Sequence, residues 1–148
     1  MKYKIGLGVV LIFAITQLFV AEKTPFIEPS ENDFIAIEQP EEKVELMLKT
    51  ICYDCHSNQI DYPWYTDIAV VSWWTQDHIN EGREHLNFSE WGNYSGEKKE
   101  HKAEEAWEEI EEGEMPLESY TLIHRDADLS DEERELLVEY FKGIEGKY

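Results

Sequence analysis

Both cysteines of this chain fall inside one run of five residues, Cys52-Tyr53-Asp54-Cys55-His56, and no other occurs in its 148 residues. Two thiols three positions apart cannot staple distant parts of a fold, so a disulfide scaffold is excluded. The chain must be held by an apolar core or by a group bound at this run. The residues just before it begin such a core. Val44, Met47, Leu48 and Ile51 recur at helical spacing and form one apolar face. Pro40 suits the first turn of that helix, and Glu41 and Glu42 complement its dipole. The helix runs straight into Cys52.

The rest of the chain also reads as helical. A second helix is expected within residues 68–86, carrying Trp73, Trp74, His78, Ile79, Arg83 and Leu86. Residues 58–67 read as a loop, and residues 87–95 as a turn. A third helix spans residues 96–112, with Ala103, Ala106, Trp107 and Ile110 as its buried stripe and Gly113 as its terminator. Glu114-Met115-Pro116-Leu117 is an extended loop. Ser130 and Glu133 form a capping-box pattern at the start of the last helix, whose buried face is Leu136, Leu137, Tyr140 and Phe141, and Gly143 is its expected end. No segment alternates for long with period two, and no internal repeat is visible. The expected fold class is all-α.

The N-terminus is set apart. Lys2 and Lys4 precede the apolar run Ile5–Ala21, the pattern of an export signal. Seventeen residues make about 25 Å of helix, near the lower limit for crossing a bilayer. Ala21 suits the end of a cleavage site, but Phe19 two positions earlier does not. An uncleaved transmembrane anchor is therefore favoured over a cleaved signal peptide. The lysines stay cytoplasmic, and the rest faces the periplasm or exterior of the inner membrane; cleavage would release it to the periplasm. Three regions follow: 1–21, signal anchor or signal peptide; 22–39, an acidic spacer containing Pro25 and Pro29; and 40–148, the folded domain.

Charge narrows the partners. The formal net charge is −20, which repels phosphate backbones and excludes nucleic acid. With 42% hydrophobic residues, the remainder is globular, not disordered. Five tryptophans and eight tyrosines give large flat side chains that line flat cofactors or fill cores.

C-x-x-C-H is the attachment signature of c-type haem, and the reason is geometric. Two thiols on one side of a helical turn can add to the two vinyl groups of one porphyrin. His56 then falls beneath the iron and coordinates it through an imidazole nitrogen. Two other readings use the same cysteines. A thioredoxin-like dithiol wants a strand before it and a βαβ context, where this pattern is helical. Half of a zinc site wants a second cysteine pair or close histidines, and His78 and His85 are seven apart.

In order, the amphipathic helix, haem motif, helical middle, Met-Pro loop and final helix resemble a class I cytochrome c. More closely, the chain resembles the small bacterial haem-binding-domain family. The resembling stretches are Cys52–Ser57, Pro63-Trp64-Tyr65, Ser72-Trp73-Trp74, Asp77-His78, residues 87–91, Glu114-Met115-Pro116, residues 120–124 and residues 129–133. The resemblance implies a cytochrome c-like helical domain that binds haem, and leaves partner and activity open.

A sixth iron ligand is then sought. Met1 is the initiator, and Met47 sits on a buried stripe. Met115, in a loop beside Pro116, is the expected second axial ligand, since Met/His ligation is common in cytochromes c. His78 and His124 are its rivals. Trp64, Tyr65, Trp73, Trp74 and Tyr120 are candidates for the pocket wall, and Arg83 for pairing with a haem propionate. Lys98, Lys99 and Lys102 lie at the positive end of the third helix, and Glu108, Glu109, Glu111 and Glu112 at its negative end. That costs about 0.3–1 kcal/mol per misplaced charge. Those glutamates form either a solvated face or a docking surface for a basic redox protein. The expected function is that of a membrane-anchored monohaem c-type carrier passing one electron at a time. A peroxidase-like haem enzyme or a haem-based ligand sensor is the alternative.

Overall fold

A computed structural model describes residues 2–148 of the chain; Met1 lies outside them. The elements in order are α1 (Lys2–Thr16), α2 (Phe34–Glu38), α3 (Glu42–Ile51), α4 (Tyr53–His56), α5 (Ala69–His85), α6 (Gly96–Glu112), α7 (Glu118–Thr121) and α8 (Asp131–Glu145). Short 3₁₀ turns intervene at Gln17–Phe19, Trp64–Asp67, Phe88–Asn93 and Arg125–Ala127. No strand occurs among the described residues, so the fold is all-α as expected.

The helix signals act largely where the residues put them. In α3, Val44, Met47 and Leu48 are buried; each such side chain stabilises the fold by about 1.5–3 kcal/mol. In α6, the Ser95 side chain accepts a hydrogen bond from the Lys98 N–H. Gly113 closes the helix at φ 80°, a left-handed conformation that a residue with a Cβ resists. Both bonds of the Ser130–Glu133 capping box are formed. The helix does not stop at Gly143, however. It continues to Glu145, with Ile144 packed in the core, and that burial outweighs the roughly 1 kcal/mol cost of an interior glycine.

α6 and α8 form an antiparallel pair. Arg134 reaches the Ile110 carbonyl, Trp107 Nε1 donates to Glu145 Oε2 at 2.8 Å, and Lys99 Nζ donates to the Tyr148 hydroxyl at 3.2 Å. The reversed charge order of α6 is eased by aromatic faces. Lys98 sits 3.9 Å from the Tyr94 ring centroid, and Lys99 is buried 4.5 Å from that of Tyr148.

One expectation is corrected, one is extended, and one finds no support in the helix lengths. Residues 22–39 are not a free spacer throughout. Ile27 N–H donates to the Asn58 carbonyl, and α2 inserts Phe34, fully buried, against Phe88, Trp91 and Phe141. One aromatic pair in a short polar segment leaves no periodicity to read. Residues 87–95 are a turn that also carries core, since Phe88 and Trp91 are buried. At the N-terminus, the α-helix is 15 residues long, about 22 Å, and among the described residues no helix is long and apolar enough to cross a membrane.

Candidate functional site

The haem motif is a single turn set at the end of a longer helix. Cys52 links α3 to α4, and its carbonyl accepts from the N–H groups of Cys55 at 3.2 Å and His56 at 2.9 Å. The two residues between the cysteines pin this turn from both sides. Tyr53 is buried, stacked on Phe88 at 5.2 Å, and its hydroxyl donates to Asp33 Oδ1 at 2.9 Å. Asp54 accepts from the Asp61 N–H at 3.2 Å and the Tyr120 hydroxyl at 3.0 Å, while burial pushes its carboxyl pKa up. The turn has little freedom to rotate, and Cys52, Cys55 and His56 line the same hollow.

His56 is prepared as a neutral base. Its Nδ1 lies 3.1 Å from the Leu86 carbonyl oxygen. With the proton on Nδ1, that nitrogen donates to Leu86 and leaves the Nε2 lone pair free, the tautomer a metal ligand needs. Burial holds its pKa below the ordinary 6.5, against the opposing pull of the Leu86 and Gly82 carbonyls. The same part of α5 packs tightly on α4. A Cβ at Gly82 would lie 3.0 Å from the Cys55 carbonyl oxygen and 3.4 Å from His56 Cε1. Both cysteines are free thiols. Burial pushes Cys52 up to about 12, reinforced by the neighbouring Cys55 thiol, and Cys55 up to about 11, reinforced by Asp54, so both keep their protons at neutral pH.

The hollow has a volume of about 650 Å³, inside the roughly 300–1,000 Å³ usual for cofactor pockets. α4 and the second half of α5 form one wall. Another comes from α6 and the loop that carries Met115. Leu86, Phe88, Leu137 and Phe141 supply an apolar interior. Met115 is held by its backbone, its N–H donating to the Glu109 carbonyl at 3.0 Å and its carbonyl accepting from Arg134 at 3.3 Å. Two thiols, a neutral imidazole and a thioether therefore open on one largely apolar space, a donor set that fits a flat iron-bearing macrocycle.

A family model described as haem-binding domain matches residues 10–143. The chain belongs to the haem-binding domain family. No match is found among curated proteins or among solved structures. The matched range takes in Phe34 and the segment before it, in keeping with their packing on the domain.

Not all residues expected at the haem-binding site of this domain are brought to the cavity. Tyr120 lines it, and so does His78, whose Nδ1 lies 2.8 Å from the Trp74 carbonyl. His124 does not. It lies in a smaller cavity of about 80 Å³ behind Cys55, with Tyr65, whose hydroxyl is 2.5 Å from His124 Nε2. Trp74 lines that smaller cavity too. Trp64 and Trp73 line neither and face outward, at 78% and 43% exposure. Arg83 also lies away from the large cavity, where it donates to Thr24 Oγ1 at 3.2 Å. Helical spacing cannot tell which face of α5 meets α4, and Gly82 rather than an aromatic residue makes that contact. The cation that does line the cavity is Lys102, 2.5 Å from Glu105. Glu108 and Glu109 line it as well, so α6 is part of the pocket and not only a charged surface. Gly82, Leu86 and Lys102 were missed; the signal for Gly82 was a glycine inside a helix, a position that asks for close approach.

Proposed function

We propose that this domain carries one covalently attached haem c outside the cytoplasm and passes single electrons between redox proteins. Cys52 and Cys55 would form the thioethers, and His56 and Met115 would be the axial ligands. The observation that carries this reading is that Met115 lines the same cavity as His56, with its backbone held on both sides. When bound, haem iron supplies one-electron redox chemistry tuned by its axial ligands. The chain's own part is to keep the imidazole neutral and oriented, to hold the thioether, and to surround both with apolar side chains that exclude water. Exposed glutamates of α6, Glu108, Glu109, Glu111 and Glu112, give a docking surface for a basic redox partner. The apolar run from Ile5 to Ala21 serves as export signal and membrane anchor. Its α-helix is continued by the 3₁₀ turn at Gln17–Phe19, which adds about 6 Å.

A second reading rests on His78, a further nitrogen base in the same cavity. It would either replace Met115 on the iron or stand beside an open position, as a peroxidase-like enzyme or ligand sensor requires. Absorption spectra of the ferric and ferrous protein, with and without carbon monoxide, test the choice. A ferrous spectrum unmoved by carbon monoxide is expected. Ready binding by the wild type overturns the electron-carrier assignment.

A further inference from the structure

We infer that the face bearing Trp64, Val70, Trp73 and Trp74 docks on a lipid bilayer, seated in the interface beside the end of α1. This rests on the anchor reading above. The four side chains are 78%, 55%, 43% and 46% exposed. Val70, Trp73 and Trp74 are spaced i, i+3, i+4 on the first turns of α5, so they form one helix face. Three of the five tryptophans are thus spent on the surface, where solvation of such large apolar groups is unfavourable and contiguous patches mark interaction sites.

The apolar N-terminal segment is fastened to this same part of α5. The Ala69 N–H donates to Gln17 Oε1 at 3.2 Å, Trp73 Nε1 donates to the Phe19 carbonyl at 2.5 Å, and the Ala21 N–H donates to Ser72 Oγ at 2.9 Å. The end of α1 and the tryptophan face therefore lie side by side. Along α1 the large apolar side chains from Ile5 to Ile15 are all at least 49% exposed. A helix bare on every side is matched by lipid, and whatever depth it takes, its C-terminal end brings Trp73 to the boundary.

Charge agrees with lipid as the occupant. In a chain of net charge −20, the stretch from Pro63 to Gln76 holds one charged residue, Asp67, and Lys23 pairs with it at 2.6 Å. The face can approach a membrane without the repulsion that α6 would meet. Tryptophan is the residue enriched at the bilayer interface, where its ring meets hydrocarbon and its N–H meets polar groups. Gly82 and the His56-bearing turn lie toward the other end of α5, so docking here leaves the large cavity clear.

The test uses the full haem-loaded chain in phosphatidylcholine vesicles with ordinary or brominated acyl chains. α1 contains no tryptophan, so bromine quenching reports on the domain alone. Co-flotation with the vesicles is expected, with emission lower by about twofold in brominated lipid, as three interfacial tryptophans imply. The variant W64F/W73F/W74F keeps the apolar face, and its residual emission from Trp91 and Trp107 should be the same in both lipids. A wild type that floats but emits equally in both lipids overturns the docking surface and leaves the anchor standing. A chain that does not float overturns the anchor, and the docking surface with it.

Discussion

His56 Nδ1 and the Leu86 carbonyl oxygen lie 3.1 Å apart, joining the haem-motif turn to the residue that closes α5. The carbonyl is available because the chain turns extended at Leu86, at φ −145° and ψ 125°. A residue inside the helix would have spent its carbonyl on a partner four positions on. The end of α5 thus sets both the tautomer and the direction of the imidazole.

That contact depends on how closely α5 approaches α4, so Gly82→Ala should weaken it. The new Cβ would meet the Cys55 backbone oxygen at 3.0 Å, an atom that cannot swing aside. A loss of about 1–3 kcal/mol is expected from overpacking. Urea unfolding of the apo chain measures it, and a lower haem content in the mature protein should accompany it. Unchanged stability and haem loading would place the two helices further apart than the structure does.

Cys52→Ala with Cys55→Ala should abolish covalent attachment, because no other thiol exists. Each single variant should keep one thioether and shift the ferrous absorption band toward that of a vinyl-bearing haem. Denaturing electrophoresis with haem staining distinguishes these outcomes. Stain surviving in the double variant would rule out thioether attachment at these residues.

Met115→Ala should lower the reduction potential and open the iron to carbon monoxide, since a thioether favours ferrous iron and closes the sixth position. Met115→His should restore six-coordination at a lower potential. Haem attachment should persist in both. If His78 is the ligand instead, the Met115→Ala spectrum will match the wild type and His78→Ala will change it. Potentiometric titration with optical readout separates the two.

Glu38 gives the fold a dependence on acid. Burial acts to raise its pKa, but hydrogen bonds from Lys147, Tyr148 and Trp91 outweigh that and hold it below the ordinary 4.5. The unfolded chain therefore takes up this proton first as pH falls. The stabilisation is complete above about 4.5 and is lost as pH falls through the lower folded value. Glu38→Gln should cost about 1–3 kcal/mol at neutral pH. The gap between wild type and variant should narrow below pH 4.5 in urea unfolding curves, and a constant gap would remove the carboxylate from this role.

The residues settled by themselves whatever depends on near neighbours. The turn of the haem motif at the end of α3 follows from the spacing of Val44, Met47, Leu48 and Ile51. The start of α8 follows from Ser130 and Glu133, and the end of α6 from Gly113, because capping and periodicity act within a few positions. The tertiary structure alone decided which faces meet. It drew Phe34 out of an apparent spacer into the core and carried α8 past Gly143 to bury Ile144. It turned Trp64 and Trp73 outward while Gly82 met the haem motif, and it placed Met115, 59 residues after His56, on the same cavity. Helix packing is chosen by the burial gained over a whole interface, and one helix's spacing records its apolar face but not the partner that face will find.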